Sequence, residues 1–101
     1  MRVIVFFDLP VLTTEERRTA AKFRKYLVKS GFMMMQESVY CKLALNAVAV
    51  NAICQNVRCN SPDKGLVQML SVTEKQFNNI EYIVGQGSSE VINSTDRMVV
   101  L

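Results

Sequence analysis

The order of elements along the chain predicts an α+β fold, the ferredoxin-like βαββαβ sandwich in which two helices cover one face of a four-stranded antiparallel sheet. Three observations carry that expectation. The chain opens on a β-branched and aromatic run from Val3 to Phe7 that meets no polar residue until Asp8. Two segments, 14–30 and 46–60, repeat apolar residues at helical spacing, with strand-like stretches around them. An apolar run at 97–101 then remains after the core strands are supplied, and predicts an extra C-terminal strand that pairs outside its own sheet.

Residues 2–8 are read as a buried strand, which Leu9-Pro10 ends because proline cannot donate to a ladder. Thr13-Thr14-Glu15-Glu16 fits a capping box: the Thr13 hydroxyl accepts from the Glu16 backbone while the Glu16 side chain reaches back. The helix that follows runs to about Ser30, and Gly31 suits the left-handed position just past its end. At about 100° per residue, Ala20, Phe23 and Leu27 share one face, and Arg18, Lys22, Lys25 and Lys29 share the opposite one.

Residues 32–43 have strand composition and form either one long bulged strand or two strands turning at Gln36-Glu37, the second being preferred. Met33-Met34-Met35 is read within it as adaptable core filler. Over 46–60, Val50, Ile53, Cys54 and Val57 fall at the spacing of a core-facing helix with Asn46 as its cap. Ser61 to Gly65 breaks the pattern. Residues 66–72 are a strand, Thr73-Glu74-Lys75-Gln76 is a second capping box for a short helical turn, and 80–84 is read as a returning strand. The polar stretch 85–96 is a loop.

At 101 residues, half of them apolar, the chain suits one domain spanning 1–101. No run approaches the roughly 18 apolar residues of a membrane span, and the opening run is too short for a signal-peptide core, so the expected compartment is the cytoplasm. The three cysteines, Cys41, Cys54 and Cys59, lack C-x-x-C spacing, and the chain holds no histidine. Histidine-dependent nucleophiles and Cys/His zinc sites are thereby excluded, so any catalysis rests on carboxylates and a metal. Net charge is +3, but residues 14–30 hold six of the 12 basic residues and two of the nine acidic ones. A segment four charges positive beside a remainder one charge negative suits an anionic partner such as nucleic acid, the bland alternative being a solvated helix face.

The opening Arg2-Val3-Ile4-Val5-Phe6-Phe7-Asp8-Leu9-Pro10, the helix from Glu16-Arg17-Arg18 to Phe23-Arg24-Lys25-Tyr26-Leu27, Gly31-Phe32, Ser38-Val39-Tyr40 and Val72-Thr73-Glu74-Lys75-Gln76-Phe77 persuade by order and spacing. Together they resemble the small core CRISPR adaptation protein family, the CRISPR-associated endoribonucleases that partner the spacer integrase. The resemblance covers nearly the whole chain. It implies a ferredoxin-like fold, a homodimer in which residues 97–101 are exchanged onto the partner subunit through Met98, Val99, Val100 and Leu101, and a bridge between two integrase dimers in spacer acquisition. It further implies double-stranded DNA as ligand, single-stranded RNA as a substrate of the ascribed nuclease activity, and Mg²⁺ beside the aspartate after the first strand, here Asp8.

Asp8 is thus the candidate catalytic and metal-binding residue, and the alternative for an aspartate before a Leu-Pro turn is a turn residue that accepts from nearby backbone. One carboxylate is a poor Mg²⁺ site, and a dimer that brings two copies of Asp8 together could supply the second, so oligomeric state decides whether the site can exist. Arg17, Arg18, Lys22, Lys25 and Lys29 are the candidate nucleic-acid contacts; from Arg18 to Lys29 the strip runs about 16 Å at 1.5 Å per residue, enough for several phosphates. Phe32, Tyr40 and Phe77 are assigned to packing. A regulatory or small-ligand-binding domain of the same fold, without nucleic acid, is the competing function.

Overall fold

Val3, Val5 and Phe7 alternate with Arg2, Ile4 and Phe6, and in a pleated strand such alternation sends the two sets to opposite faces. The computed structural model, which describes residues 1–85, buries the first set almost completely. This strand, β1 (Arg2–Asp8), is followed by α1 (Thr14–Lys29), β2 (Met33–Gln36), β3 (Val39–Leu43), α2 (Ala47–Asn60), β4 (Leu66–Val72) and the short α3 (Glu74–Asn78). The four strands form one sheet in the order β2-β3-β1-β4, every neighbouring pair antiparallel. That is the ferredoxin-like arrangement predicted from the element order.

Local sequence sets the helix ends. Thr13 and Glu16 close the predicted capping box, and Thr73 and Gln76 close the second. Asn46 accepts from the Ala49 N–H at 2.9 Å to start α2. Beneath the helices, Phe23 meets Phe7 edge-on at 5.1 Å between centroids, and Phe7 stacks with Tyr40 at 5.8 Å. Leu27, Val3, Val5 and Val57 are sealed from solvent, each contributing about 1.5–3 kcal/mol by leaving water. Phe32, Tyr40 and Phe77 are all buried, as packing residues should be.

The stretch 32–43 resolves as two strands with a turn at Glu37 and Ser38, and the pairing of β2 with β3 also slips between Met34 and Gln36, so a bulge accompanies the turn. Two expectations fail. Residues 80–84 form no strand, and Ile83 and Val84 stand 79% and 90% exposed. Strand composition holds a ladder only beside a partner, and this segment pairs with none of the four described strands. Met33, Met34 and Met35 are not core: β2 lies at the sheet edge, and Met33 and Met34 are 67% and 64% exposed. The C-terminal residues 97–101, including Met98, Val99, Val100 and Leu101, lie outside the described residues.

On the face away from the helices, α3 folds over the Arg2 end of the sheet. The Arg2 guanidinium sits 4.2 Å from the Phe77 ring centroid and bonds Glu74 at 2.8 Å. Arg2 holds the Glu74 carboxyl below its ordinary value, and Glu74 in turn raises the Arg2 value. A depressed carboxylate stabilises the fold above its unfolded titration range and loses that contribution as pH falls through its folded value. The Glu74 side chain is nearly half exposed, so the contribution is small. Glu74→Gln should lower stability by less than about 1 kcal/mol at pH 7, as read by urea unfolding, with the gap to the unsubstituted protein closing in acid.

Candidate metal site and nucleic-acid interface

Asp8 is the last residue of β1 and faces Leu66 across the ladder. Since Val3, Val5 and Phe7 point into the helix layer, the pleat turns Asp8 to the other side, in line with Ile4 and Phe6. Two chain segments fix its backbone. Gly65 approaches so closely that a Cβ there would stand 2.8 Å from the Asp8 carbonyl oxygen and 2.9 Å from Leu9 Cδ2, and its φ of +92° suits glycine alone. On the other flank, Ser38, itself at a φ of 68°, accepts from the Phe7 N–H at 3.0 Å. Asp8 is therefore an exposed carboxylate on a closely packed, hydrogen-bonded backbone.

The turn-residue alternative finds no backing here, because no backbone N–H among the described residues donates to the Asp8 side chain. The single ion pair among them joins Arg2 to Glu74, leaving the Asp8 carboxylate free of a cation. No group of three or more His, Cys, Asp or Glu side chains among the described residues is placed to hold a metal. One chain thus offers a hard cation one exposed carboxylate, which suits a hydrated Mg²⁺ only if a second carboxylate comes from elsewhere. Glu37 lies exposed in the neighbouring turn.

The basic residues belong to the other side of the molecule. Arg17, Arg18, Lys22, Lys25 and Lys29 are all exposed on α1, whose Ala20, Phe23 and Leu27 face the core. Arg17 is already engaged: its guanidinium donates to the Val11 and Leu12 carbonyls at 3.1 Å each and to Thr14 Oγ1 at 3.3 Å. It ties down the loop entering α1, whereas Arg18, Lys22, Lys25 and Lys29 make no ion pair among the described residues. The strip and Asp8 are not brought together; the sheet and helix layer lie between them.

Sequence reasoning missed Gly65, Ser38 and Lys42. A glycine after Asp63-Lys64 reads as an ordinary turn, and only the fold reveals whose backbone it must admit. Lys42 sits on the helix side of β3 and donates to the Ser30 carbonyl at 2.6 Å, closing the end of α1.

The sequence profile of the family described as "CRISPR associated protein Cas2" matches residues 1–80. A curated protein of Treponema denticola named "CRISPR-associated endoribonuclease Cas2" is 52% identical over 101 residues, covering all of both chains. Another of that name, from Streptococcus mutans serotype c, is 46% identical over all of this chain and 93% of its own. Among solved structures, the crystal structure of Streptococcus pyogenes Cas2 at pH 6.5 superposes with a TM-score of 0.61 at 16% identity, over 83% of this chain and all of that one. That likeness supports the fold.

Gly65→Ala should cost about 1–3 kcal/mol in chemical denaturation, because it combines a left-handed φ with a close approach to the Asp8 carbonyl. Replacing Arg18 and Lys25 together by alanine should lower the log–log salt slope of duplex binding by roughly two units, about 0.9 for each phosphate no longer neutralised. Filter binding between about 50 and 200 mM salt, the range over which counterion release is exposed, reads that slope.

Proposed function

The chain belongs to the CRISPR associated protein Cas2 family, and from that premise we propose that it serves spacer acquisition as a homodimeric nucleic-acid-binding subunit that bridges integrase dimers, with Mg²⁺-dependent endoribonuclease activity at paired Asp8 carboxylates. The observation that carries the reading is the uncovered sheet face. Ile4, Phe6, Leu43, Leu66 and Leu70 lie on it, several of them largely exposed, and no described element covers them beyond α3 at one end. A second copy applied to that face would bury an apolar surface and, through the β1 pleat, would set one Asp8 toward the other. The exchange of residues 97–101 would extend the same dimer.

Bound between two such carboxylates, Mg²⁺ would supply an activated water and charge stabilisation for phosphodiester cleavage. The protein's part is positional. Gly65 and Ser38 hold the β1 terminus still, so that Asp8 presents its charge at one place on the sheet. Duplex DNA would follow the α1 strip, where Arg18, Lys22, Lys25 and Lys29 can each neutralise a phosphate without reading sequence. Arg17 contributes charge while it anchors its loop. The protein works in the cytoplasm, and no helix among the described residues is long and apolar enough to cross a membrane. A regulatory small-ligand domain is not favoured, since the relatives are named endoribonucleases.

Asp8→Asn separates the two roles, because it keeps the size of the side chain and removes the charge that a hard cation needs. The variant should lose Mg²⁺-dependent RNA cleavage while light scattering still reports a dimer and DNA insertion with the integrase continues. Loss of insertion from an intact complex would give the carboxylate a direct part in integration and overturn the division proposed.

A further inference from the structure

A cavity of about 190 Å³ opens between α1, α2 and β3, lined by Tyr26, Ser30, Phe32, Lys42, Ile53 and Asn56. That is several times the roughly 30 Å³ a water occupies in the liquid, so the space admits a polyatomic group. Several of its polar groups have protons to donate. The Tyr26 hydroxyl is buried with no hydrogen-bond partner, although its ring is held in place by stacking on Phe23 at 6.2 Å. Lys42 gives one of its three protons to the Ser30 carbonyl and has two left. The Asn56 side-chain oxygen accepts from Asn60 Nδ2 at 2.9 Å, which leaves its own NH₂ to donate.

No carboxylate lines the space, and two backbone acceptors beside it are engaged: the Ser30 carbonyl by Lys42, and the Asn56 carbonyl by Asn60 at 2.8 Å. Of the donors, the Tyr26 hydroxyl is the one buried without a partner among the described residues, a cost that an entering acceptor relieves, while the half-buried Lys42 and the exposed Asn56 line the same space without a counter-charge. We propose that this cavity is a binding site for a phosphate monoester, with Lys42 as the point charge, Tyr26 and Asn56 as neutral donors, and Phe32 and Ile53 as the apolar wall for the ester's organic part.

Lys22 and Lys29 stand four residues before and three after Tyr26, which puts them on the side of α1 next to that cavity-lining residue. The monoester is therefore either the 5′-phosphate at the end of a strand lying on α1 or a free nucleoside monophosphate. The first source rests on the nucleic-acid reading above; the site itself does not.

The test uses the full chain labelled with ¹⁵N. Inorganic phosphate and a nucleoside 5′-monophosphate are each titrated against sodium chloride of equal ionic strength, and two duplexes are compared that differ only in a 5′-phosphate or 5′-hydroxyl. Both phosphate probes should move the Ser30, Lys42 and Asn56 amide signals saturably, and chloride should not. Lys42→Gln should weaken binding by about tenfold, the loss expected for one charge-assisted hydrogen bond. Tyr26→Phe, which preserves the ring stacking, should weaken it several-fold and guards against a folding defect in the first variant. A preference for the 5′-phosphate duplex that disappears in both variants identifies the strand end as the source; a response to the small probes alone identifies the free monoester, and either result sustains the site. The absence of saturable shifts with every probe, or affinities that ignore both variants, overturns it. Duplex affinity that falls on replacing Arg18 and Lys25 but is kept in the cavity variants would separate the fate of the site from that of the strip.

Discussion

The pleat of β1 is the constraint on which the molecule depends. Its neighbours β3 and β4 pair along nearly its whole length, so the strand cannot rotate or slip without breaking two ladders together. A slip of one residue would exchange Val3, Val5 and Phe7 for Arg2, Ile4, Phe6 and Asp8 under the helices, placing a guanidinium and a carboxylate in the core. Register is thus enforced by both hydrogen bonding and charge. The same register makes Asp8 a surface group rather than a buried one, which is why its carboxylate remains free to act.

From this follows a division of labour between faces. The helix side combines a closed apolar core with an outer surface of lysines and Arg18 that make no ion pair among the described residues, while the far side of the sheet carries an apolar patch between the Arg2–Glu74 pair at one end and Asp8 at the other. Electrostatic attraction of a polyanion and apolar contact with a second copy therefore need not compete for area. Ligand on α1 and partner on the sheet can be held together, joined mechanically by a sheet that is stiff in its own plane.

Features set by neighbours a few residues apart were legible in the sequence. Both capping boxes, the Asn46 cap and the core stripe of α1 are decided within a turn or two of helix, so spacing suffices to read them. Composition was a poorer guide wherever the outcome depends on a distant partner. Residues 80–84 have the right residues for a strand and pair with none of the described strands; Met33 to Met35 have core residues and an edge position. Asp8 could be singled out through resemblance, yet the support beneath it rests on Gly65, distant in sequence and chemically silent. The bulge beside Met34 belongs to the same class, since it records a mismatch between two strands rather than a property of either.

The two outer strands give the sheet a growth problem. Among the described residues, β2 and β4 each turn one line of amide and carbonyl groups outward, and β2 carries three methionines with no charged residue among them to repel another chain. Flexible thioether side chains adapt to almost any apolar surface, so this rim discriminates weakly among the strands that could add to it. At high concentration such a rim favours sideways self-association of the chain, so the protein's solubility depends on what covers that edge.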